Sequence, residues 1–368
     1  MKQHVRFTLI ALIVLLSAAV FALTQANACT GIITKTQDNN YIMGRSMEFA
    51  SDFISHHLIF VPRNFKYTGQ TPSGKPGMPW MTIYAHVGFS PSTLPIVDDG
   101  INEKGLYCGG FFHPGYAKYE TVVEKDFPKT ISSDDIGSWI LSTCATASEV
   151  RERLPKIHVC GVVNPQLGYV APMHCLVIDK TGDAVIIEYL EGKLVMYDNK
   201  ANVITNSPVY TWHIENLRNY IALKPDNAAT IKINGNDFVQ FGQGSGAIGL
   251  PGDFTPPSRF VRAAFLARSV FQGKNVDEGI GMAFHIMNQF DIPLGAVRGM
   301  QGNKPANDTT QWTSVSDLTN ARYFYHTYND RSVRVIDFKK LDLNASTVKS
   351  IEDIQQPGKI TDVSGQLK

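Results

Sequence analysis

Cys29 is the residue best placed to do chemistry in this sequence, because of what precedes it. Lys2 and Arg6 lead an apolar run from Phe7 to Leu23, and small residues Ala26 and Ala28 flank Asn27. A charged start, an apolar centre and a small-x-small exit mark a secretory signal peptide, so cleavage is predicted after Ala28. Cys29 would then open the mature chain, carrying a thiol and a free α-amino group on one residue. An α-amine titrates at about 7.7–8.0 and a thiol near 8.5, so at neutral pH the amine can take the thiol proton without any partner side chain. The chemistry implied is nucleophilic attack with a built-in base. Two other uses compete: a lipid acylation site, which usually wants Leu where this chain has Ala26, and a structural cysteine. For the apolar run, the alternative is an uncleaved anchor, since its 17 residues approach spanning length.

The elements that must position Cys29 begin with a hairpin. Cys-Thr-Gly-Ile-Ile-Thr-Lys-Thr and Tyr-Ile-Met-Gly-Arg-Ser-Met-Glu-Phe flank the polar Gln-Asp-Asn-Asn. A turn centred near Asn39 places Glu48 almost opposite Cys29, with Arg45 on the same partner strand. An acid and a base thus return toward the new N-terminus; a plain surface ion pair of Arg45 and Glu48 is the competing reading. A second hairpin is predicted with Asn102 to Gly105 as its turn and Leu106 to Phe112 as its outgoing strand. Gly109 and Gly110 there signal a bulge or a close backbone approach. Cys175 to Asp179, Ala184 to Tyr189, Lys193 to Tyr197 and Asn202 to Thr205 read as one antiparallel meander. Trp312 to Val315, Arg322 to Thr327 and Ser332 to Phe338 form a second group of strands. Helices are predicted over Ser132 to Thr143, Ala147 to Leu154, Thr211 to Leu223, Ser258 to Phe271 and Asn275 to Phe290. In the fourth, Val261, Ala264, Phe265 and Ala267 recur at helical spacing and define a core-facing side. Segregated blocks joined by hairpins argue for an α+β fold with antiparallel sheets rather than a doubly wound parallel one.

Composition narrows the function classes. The 368 residues are 43% hydrophobic and 18% charged with a net charge of +1, too balanced for a nucleic-acid partner. Loss of Lys2 and Arg6 with residues 1–28 takes that charge to −1. No linker divides the remainder, so residues 29–368 are expected to be a single domain. A glycine-rich nucleotide loop is absent and no His cluster has metal spacing, so neither cofactor nor metal is expected. His56 and His57 are adjacent and fall on opposite faces of a strand. In an exported chain, Cys108, Cys144, Cys160 and Cys175 allow one or two disulfides whose pairing stays open. Tyr323-Phe324-Tyr325 reads as sheet core in preference to a ligand box. Gly74 to Trp80 reads as an exposed loop, with a role at a pocket mouth as the alternative.

Five stretches in order carry a resemblance: Cys29; Gly44-Arg45-Ser46-Met47-Glu48; Asn102-Glu103-Lys104-Gly105-Leu106; Thr205-Asn206-Ser207-Pro208; and Leu250-Pro251-Gly252-Asp253 leading to Ser258-Arg259-Phe260. Together they resemble the choloylglycine hydrolase family, which contains bile salt hydrolases and penicillin V acylases, from Cys29 to about Asn329. The resemblance implies the N-terminal nucleophile hydrolase fold, a four-layer αββα sandwich of two antiparallel sheets between helical layers. It also implies roles: Cys29 as nucleophile, Arg45 beside the thiol, Asn206 in the oxyanion hole and Arg259 as a second active-site arginine. Glu48 falls where the family usually has the Asp that orients the amine, and is one methylene longer. A family position usually held by Asn or Tyr falls on Phe112, which has no donor, so a second oxyanion donor must be a backbone N–H.

The implied activity is hydrolysis of a small-molecule linear N-acyl amide through a thioester on Cys29. Export and Phe112 favour the penicillin V acylase type, with acyl-homoserine lactones among its substrates. Conjugated bile salts are the alternative with the same chemistry, and a non-catalytic lipidated envelope protein is a third reading. The resemblance also implies a homotetramer and a periplasmic or secreted bacterial protein that meets membrane only through its transient signal peptide. A papain-type protease is disfavoured, since no Cys lies in that family's sequence context.

Overall fold

The computed structural model describes residues 28–50, 56–91, 95–301, 304–352 and 354–367. The predicted signal peptide, apart from Ala28, lies outside them. Two antiparallel sheets dominate. The first runs in the order Val203–Ile204, Ala28–Lys35, Tyr41–Ala50, Lys304–Asp317, Arg322–Thr327, Arg334–Asp337, with Val297–Gln301 also paired to the long strand. The second runs Lys193–Asp198, Ala184–Leu190, Met173–Ile178, Tyr107–Phe112, Asp99–Asn102, His86–Ser90, His57–Val61, Lys349–Ile351.

Side-chain alternation explains the layers. In Ala184–Leu190, Ala184 and Ile186 join the core that also holds Ile33, Phe111 and Trp312. Val185, Ile187 and Tyr189 instead join the core under the helix Ile136–Thr143, with Trp139 and Ile140. A strand apolar on both faces must be covered on both, which places this sheet inside the molecule. Helices Pro256–Ser269 and Val276–Met287 pack against the first sheet. The result is the expected α+β sandwich, two antiparallel sheets between helical layers.

Turn chemistry fixes the hairpins. Asn39 adopts φ 65° in the first turn. In the second, Asn102 Oδ1 accepts from the N–H of Lys104 and Leu106, while Nδ2 donates to the carbonyls of Leu141 and Cys144, each at 2.8 Å. An Asp could not make the latter two bonds. Gly105 has φ 81°, and a Cβ there would lie 1.9 Å from the Leu318 carbonyl oxygen.

Several expectations change. Only the first three strands of the predicted meander stay in one sheet. Val203–Ile204 crosses to the other and pairs with Gly31 and Ile32 of the N-terminal strand. Gly109 and Gly110 sit in regular register with no bulge, and a Cβ on Gly109 would lie 2.2 Å from the Tyr107 hydroxyl. The helix expected from Thr211 to Leu223 is Tyr210–Asn216 followed by a 3₁₀ turn, Leu217–Tyr220. Pro256–Ser269 buries Arg259 and Arg262 as well as Val261 and Phe265, while Ala264 and Ala267 are half-buried. Arg262 is accommodated because it donates to the carbonyls of Pro251 and Asp253. The strand expected over Trp312 to Val315 is the inner part of Lys304–Asp317, whose register slips between Thr310 and Trp312. All five cysteines are buried and free, so the structure contains none of the disulfides the sequence allowed.

Candidate active site

The first hairpin pairs Ala28 with Glu48, Cys29 with Met47 and Gly31 with Arg45. Glu48 is therefore one step from the position the turn suggested. That step matters, because alternate residues of a strand face opposite sides. Cys29, Arg45 and Met47 share one face; Glu48 takes the other, with its neighbour Thr310.

On the thiol face, Cys29 Sγ lies 3.4 Å from Met47 Sδ and 3.8 Å from Arg45 Nη2. Arg45 Nη1 donates to Asp99 Oδ2 at 3.1 Å and to the Asp98 carbonyl at 3.0 Å. Its guanidinium carbon lies 4.5 Å from the Phe111 ring centre and 5.1 Å from that of Trp312. Asp99 also accepts from the hydroxyls of Tyr107, Tyr323 and Ser314. Both charges are fully buried, an arrangement tolerable only because the remaining lone pairs are hydrogen-bonded. Burial pushes the Cys29 thiol up; the charge and hydrogen bond of Arg45 oppose it.

On the backbone side of Cys29, its N–H donates to Asn206 Oδ1 at 2.8 Å. Arg259 Nη2 donates to the same oxygen at 2.7 Å, Nη1 to the Cys29 carbonyl and to Thr30 Oγ1, and Nε to the Phe254 carbonyl. Asn206 Nδ2 donates to the Phe112 carbonyl at 2.8 Å. That bond uses one of its two hydrogens and leaves the other for a substrate. Glu48 Oε1 accepts from Thr310 Oγ1 at 3.1 Å, and Oε2 is buried without a partner. Burial pushes the carboxyl up to about 8, against the nearby Arg259 charge.

An apolar pocket adjoins Met47, lined by Phe49, Phe112, Leu167, Ala171 and Met173. Phe49 and Phe112 meet edge to face with centroids 5.9 Å apart. Phe112 therefore contributes its ring to the pocket and its carbonyl to Asn206. Asp134 also lines this pocket, its carboxyl pushed up to about 6 by burial. Of the Gly74 to Trp80 stretch, Gly74, Lys75 and Pro76 line a different groove with Gly161 and Val163, while Trp80 stacks on Tyr67. Tyr323 and Tyr325 are core, as expected.

The sequence thus named Cys29, Arg45, Glu48, Asn206, Arg259 and Phe112, and the structure gathers all six. It did not name Asp99. A buried arginine needs a carboxylate, but only the packing of two sheets reveals which. Nor did it foresee that His113, His174 and Glu188 meet, with one potential metal-ligand atom from each within 4.8 Å of the others. His174 spends both ring nitrogens on hydrogen bonds, to Glu188 and to the Thr205 carbonyl, so this is a bonded cluster rather than an open ligand set. Among the described residues, no helix is long and apolar enough to cross a membrane.

Residues 29–351 match the linear amide C–N hydrolases of the choloylglycine hydrolase family. A bile salt hydrolase/transferase of Clostridium perfringens is 32% identical over 88% of this chain and 96% of its own. A penicillin V acylase of Pectobacterium atrosepticum is 26% identical over 92% and 88%. The crystal structure of a conjugated bile acid hydrolase variant from Clostridium perfringens superposes with a TM-score of 0.80 at 30% identity, covering 91% of this chain and all of that one. This chain belongs to the choloylglycine hydrolase family and is a hydrolase of linear amide C–N bonds.

Proposed function

We propose that this protein is an exported cysteine amidase of the penicillin V acylase type, removing a hydrophobic acyl group from a small polar amine. The observation that carries the reading is the convergence of Asn206 and Arg259 on the backbone of Cys29 while Arg45 approaches its sulfur. Cleavage after Ala28 would turn the Cys29 N–H into an α-amine. The family match beginning at residue 29 supports this, as does the unpartnered Glu48 Oε2 on the residue paired with Ala28.

In this mechanism the α-amine takes the thiol proton and the sulfur bonds to the amide carbon, moving an electron pair onto oxygen. The second N–H of Asn206 and a backbone N–H hold that oxyanion. As the C–N bond breaks, the ammonium gives its proton to the departing amine, and the acyl group remains on Sγ as a thioester. Water then adds, its proton going to the α-amine; the C–S bond breaks and the sulfur is reprotonated. Glu48, on the side away from the thiol, orients and holds the ammonium.

The aromatic lining of the pocket favours an aryl or alkyl acyl group, such as that of penicillin V or a long-chain acyl-homoserine lactone. The 32% identity to a bile salt hydrolase/transferase favours conjugated bile salts as the second reading. Hydrolysis rates on penicillin V, glycocholate and a long-chain acyl-homoserine lactone rank these, with Cys29→Ser as the control that should process and bind yet lose most turnover. Fastest turnover of glycocholate would replace the first reading with the second. Equal rates for Cys29→Ser and the native chain would remove both.

A further inference from the structure

Behind Asn206 lies a buried polar cluster that the proposed chemistry leaves unused. His174 Nε2 lies 2.9 Å from the Thr205 carbonyl, and because a carbonyl only accepts, that nitrogen carries a proton. The other ring nitrogen lies 3.2 Å from Glu188 Oε1, which also accepts from the Tyr210 N–H at 2.8 Å. His213 Nε2 lies 2.9 Å from the Asn206 carbonyl and donates to it in the same way. Three backbone groups of one short segment, on and around Asn206, are therefore each tied to a side chain. His174 is 2% exposed, Glu188 0% and His213 1%, so water does not compete for these bonds.

The anchors themselves are held. His174 and Glu188 stand on the paired central strands Met173–Ile178 and Ala184–Leu190 of the second sheet. His113 stacks on His174 with ring centres 4.2 Å apart, and burial with the neighbouring histidines pushes it down to about 2, so it is a neutral backstop. His213 stacks on Phe260 of the helix that supplies Arg259, at 4.5 Å. The cluster thus references Asn206 to the opposite sheet and to the Arg259 helix, while Val203–Ile204 references it to Cys29. Buried polar groups are costly to retain for stability alone. Here their bonds converge on the one segment whose placement sets the distance from amide to nucleophile.

We propose that His174, Glu188 and His213 are positioning residues that fix the Thr205–Asn206 backbone, so that the Asn206 side chain meets both Cys29 and the oxyanion. This rests on the amidase reading above. Glu188→Gln tests it with almost no change of volume. In the native pair one proton lies between His174 Nδ1 and Glu188 Oε1. A glutamine oxygen would accept from Tyr210 N–H but leave an unprotonated Nδ1 facing an acceptor; a flipped amide would bond Nδ1 but turn its donor toward Tyr210 N–H. One bond is lost either way. Misplacement of a catalytic group by about 1 Å can cost 100-fold, so kcat should fall about tenfold or more. KM should stay within about threefold of the native value, as for a contact made only in the transition state.

The decisive readout is a double-mutant cycle on the purified chain, with penicillin V or whichever of the three amides it turns over fastest. In an Asn206→Ala background, Glu188→Gln should cause no further fall in kcat, because its effect passes through Asn206. His213→Phe, which keeps the stack on Phe260 and removes the donor, should behave alike and serves if Glu188→Gln does not fold. Full kcat in the single variants, or a loss that multiplies in the Asn206→Ala background, overturns the positioning role and leaves the amidase reading standing. Full kcat in Asn206→Ala itself overturns the oxyanion assignment and the positioning role together.

Discussion

The backbone nitrogen of Cys29 and the side-chain oxygen of Asn206 are hydrogen-bonded at 2.8 Å. This contact orients the amide: with Oδ1 bound by Cys29 and Arg259, Nδ2 must point away, toward the Phe112 carbonyl and any substrate oxygen. Asn206→Ala should therefore lower kcat by about 100- to 1000-fold, the usual cost of one oxyanion donor. Steady-state kinetics on protein whose N-terminus is verified checks this. A loss confined to KM would assign Asn206 to substrate binding instead.

Arg45 and Asp99 form a fully buried pair. Arg45→Leu leaves the carboxylate uncompensated and should destabilise the fold by about 3–5 kcal/mol in chemical denaturation. Adding Asp99→Asn should recover much of that. It should not recover the thiol: the guanidinium is the strongest influence opposing burial, so without it the pH midpoint of Cys29 alkylation by iodoacetamide should move up in both variants. An unmoved midpoint would show that Arg45 is structural only.

Glu48 gives a pH signature in a chain that retains the Ala28–Cys29 bond. Its carboxyl is raised to about 8 by burial, above the ordinary 4.5. Between those values the folded state holds a proton that the unfolded state has released, so stability falls as pH rises through that window. The slope is up to about 1.4 kcal/mol per pH unit. Glu48→Gln should flatten the fall, read from urea melts between pH 5 and about 8. In the chain beginning at Cys29, the new ammonium would favour the carboxylate and should weaken this dependence.

Phe112 faces the apolar pocket, and its carbonyl, rather than its side chain, holds Asn206. Phe112→Ala should thus raise KM for a phenoxyacetyl amide by about 10- to 200-fold, the range for lost hydrophobic pocket contacts, and change kcat much less. A drop in kcat with unchanged KM would place Phe112 in the oxyanion machinery after all.

Much of this site was legible because it is local. Strand alternation and one polar turn put Arg45 and Glu48 beside Cys29, and a one-residue error in register cost only the assignment of faces. Asn206 and Arg259 were reached by motif alone. The geometry that delivers Asn206, a strand leaving one sheet for the other, has no local signal, since Val203 and Ile204 read the same in either sheet. Asp99 and the His174–Glu188 pair were hidden for a related reason. Each is ordinary in its own strand and acquires a partner only when distant segments pack. The helix Pro256–Ser269 misled in the opposite direction, because its apolar spacing did not foresee two arginines among the buried residues.

The central claim is that Cys29 is the first residue of the mature chain and carries the acyl group during turnover. Intact mass of protein purified from the exporting host, before and after acid quenching with penicillin V, tests it most directly. The account predicts a chain beginning at unmodified Cys29 that gains one phenoxyacetyl group, mapped to Cys29 and released by hydroxylamine. A diacylglyceryl adduct on Cys29, or an acyl group on any other residue, would contradict it.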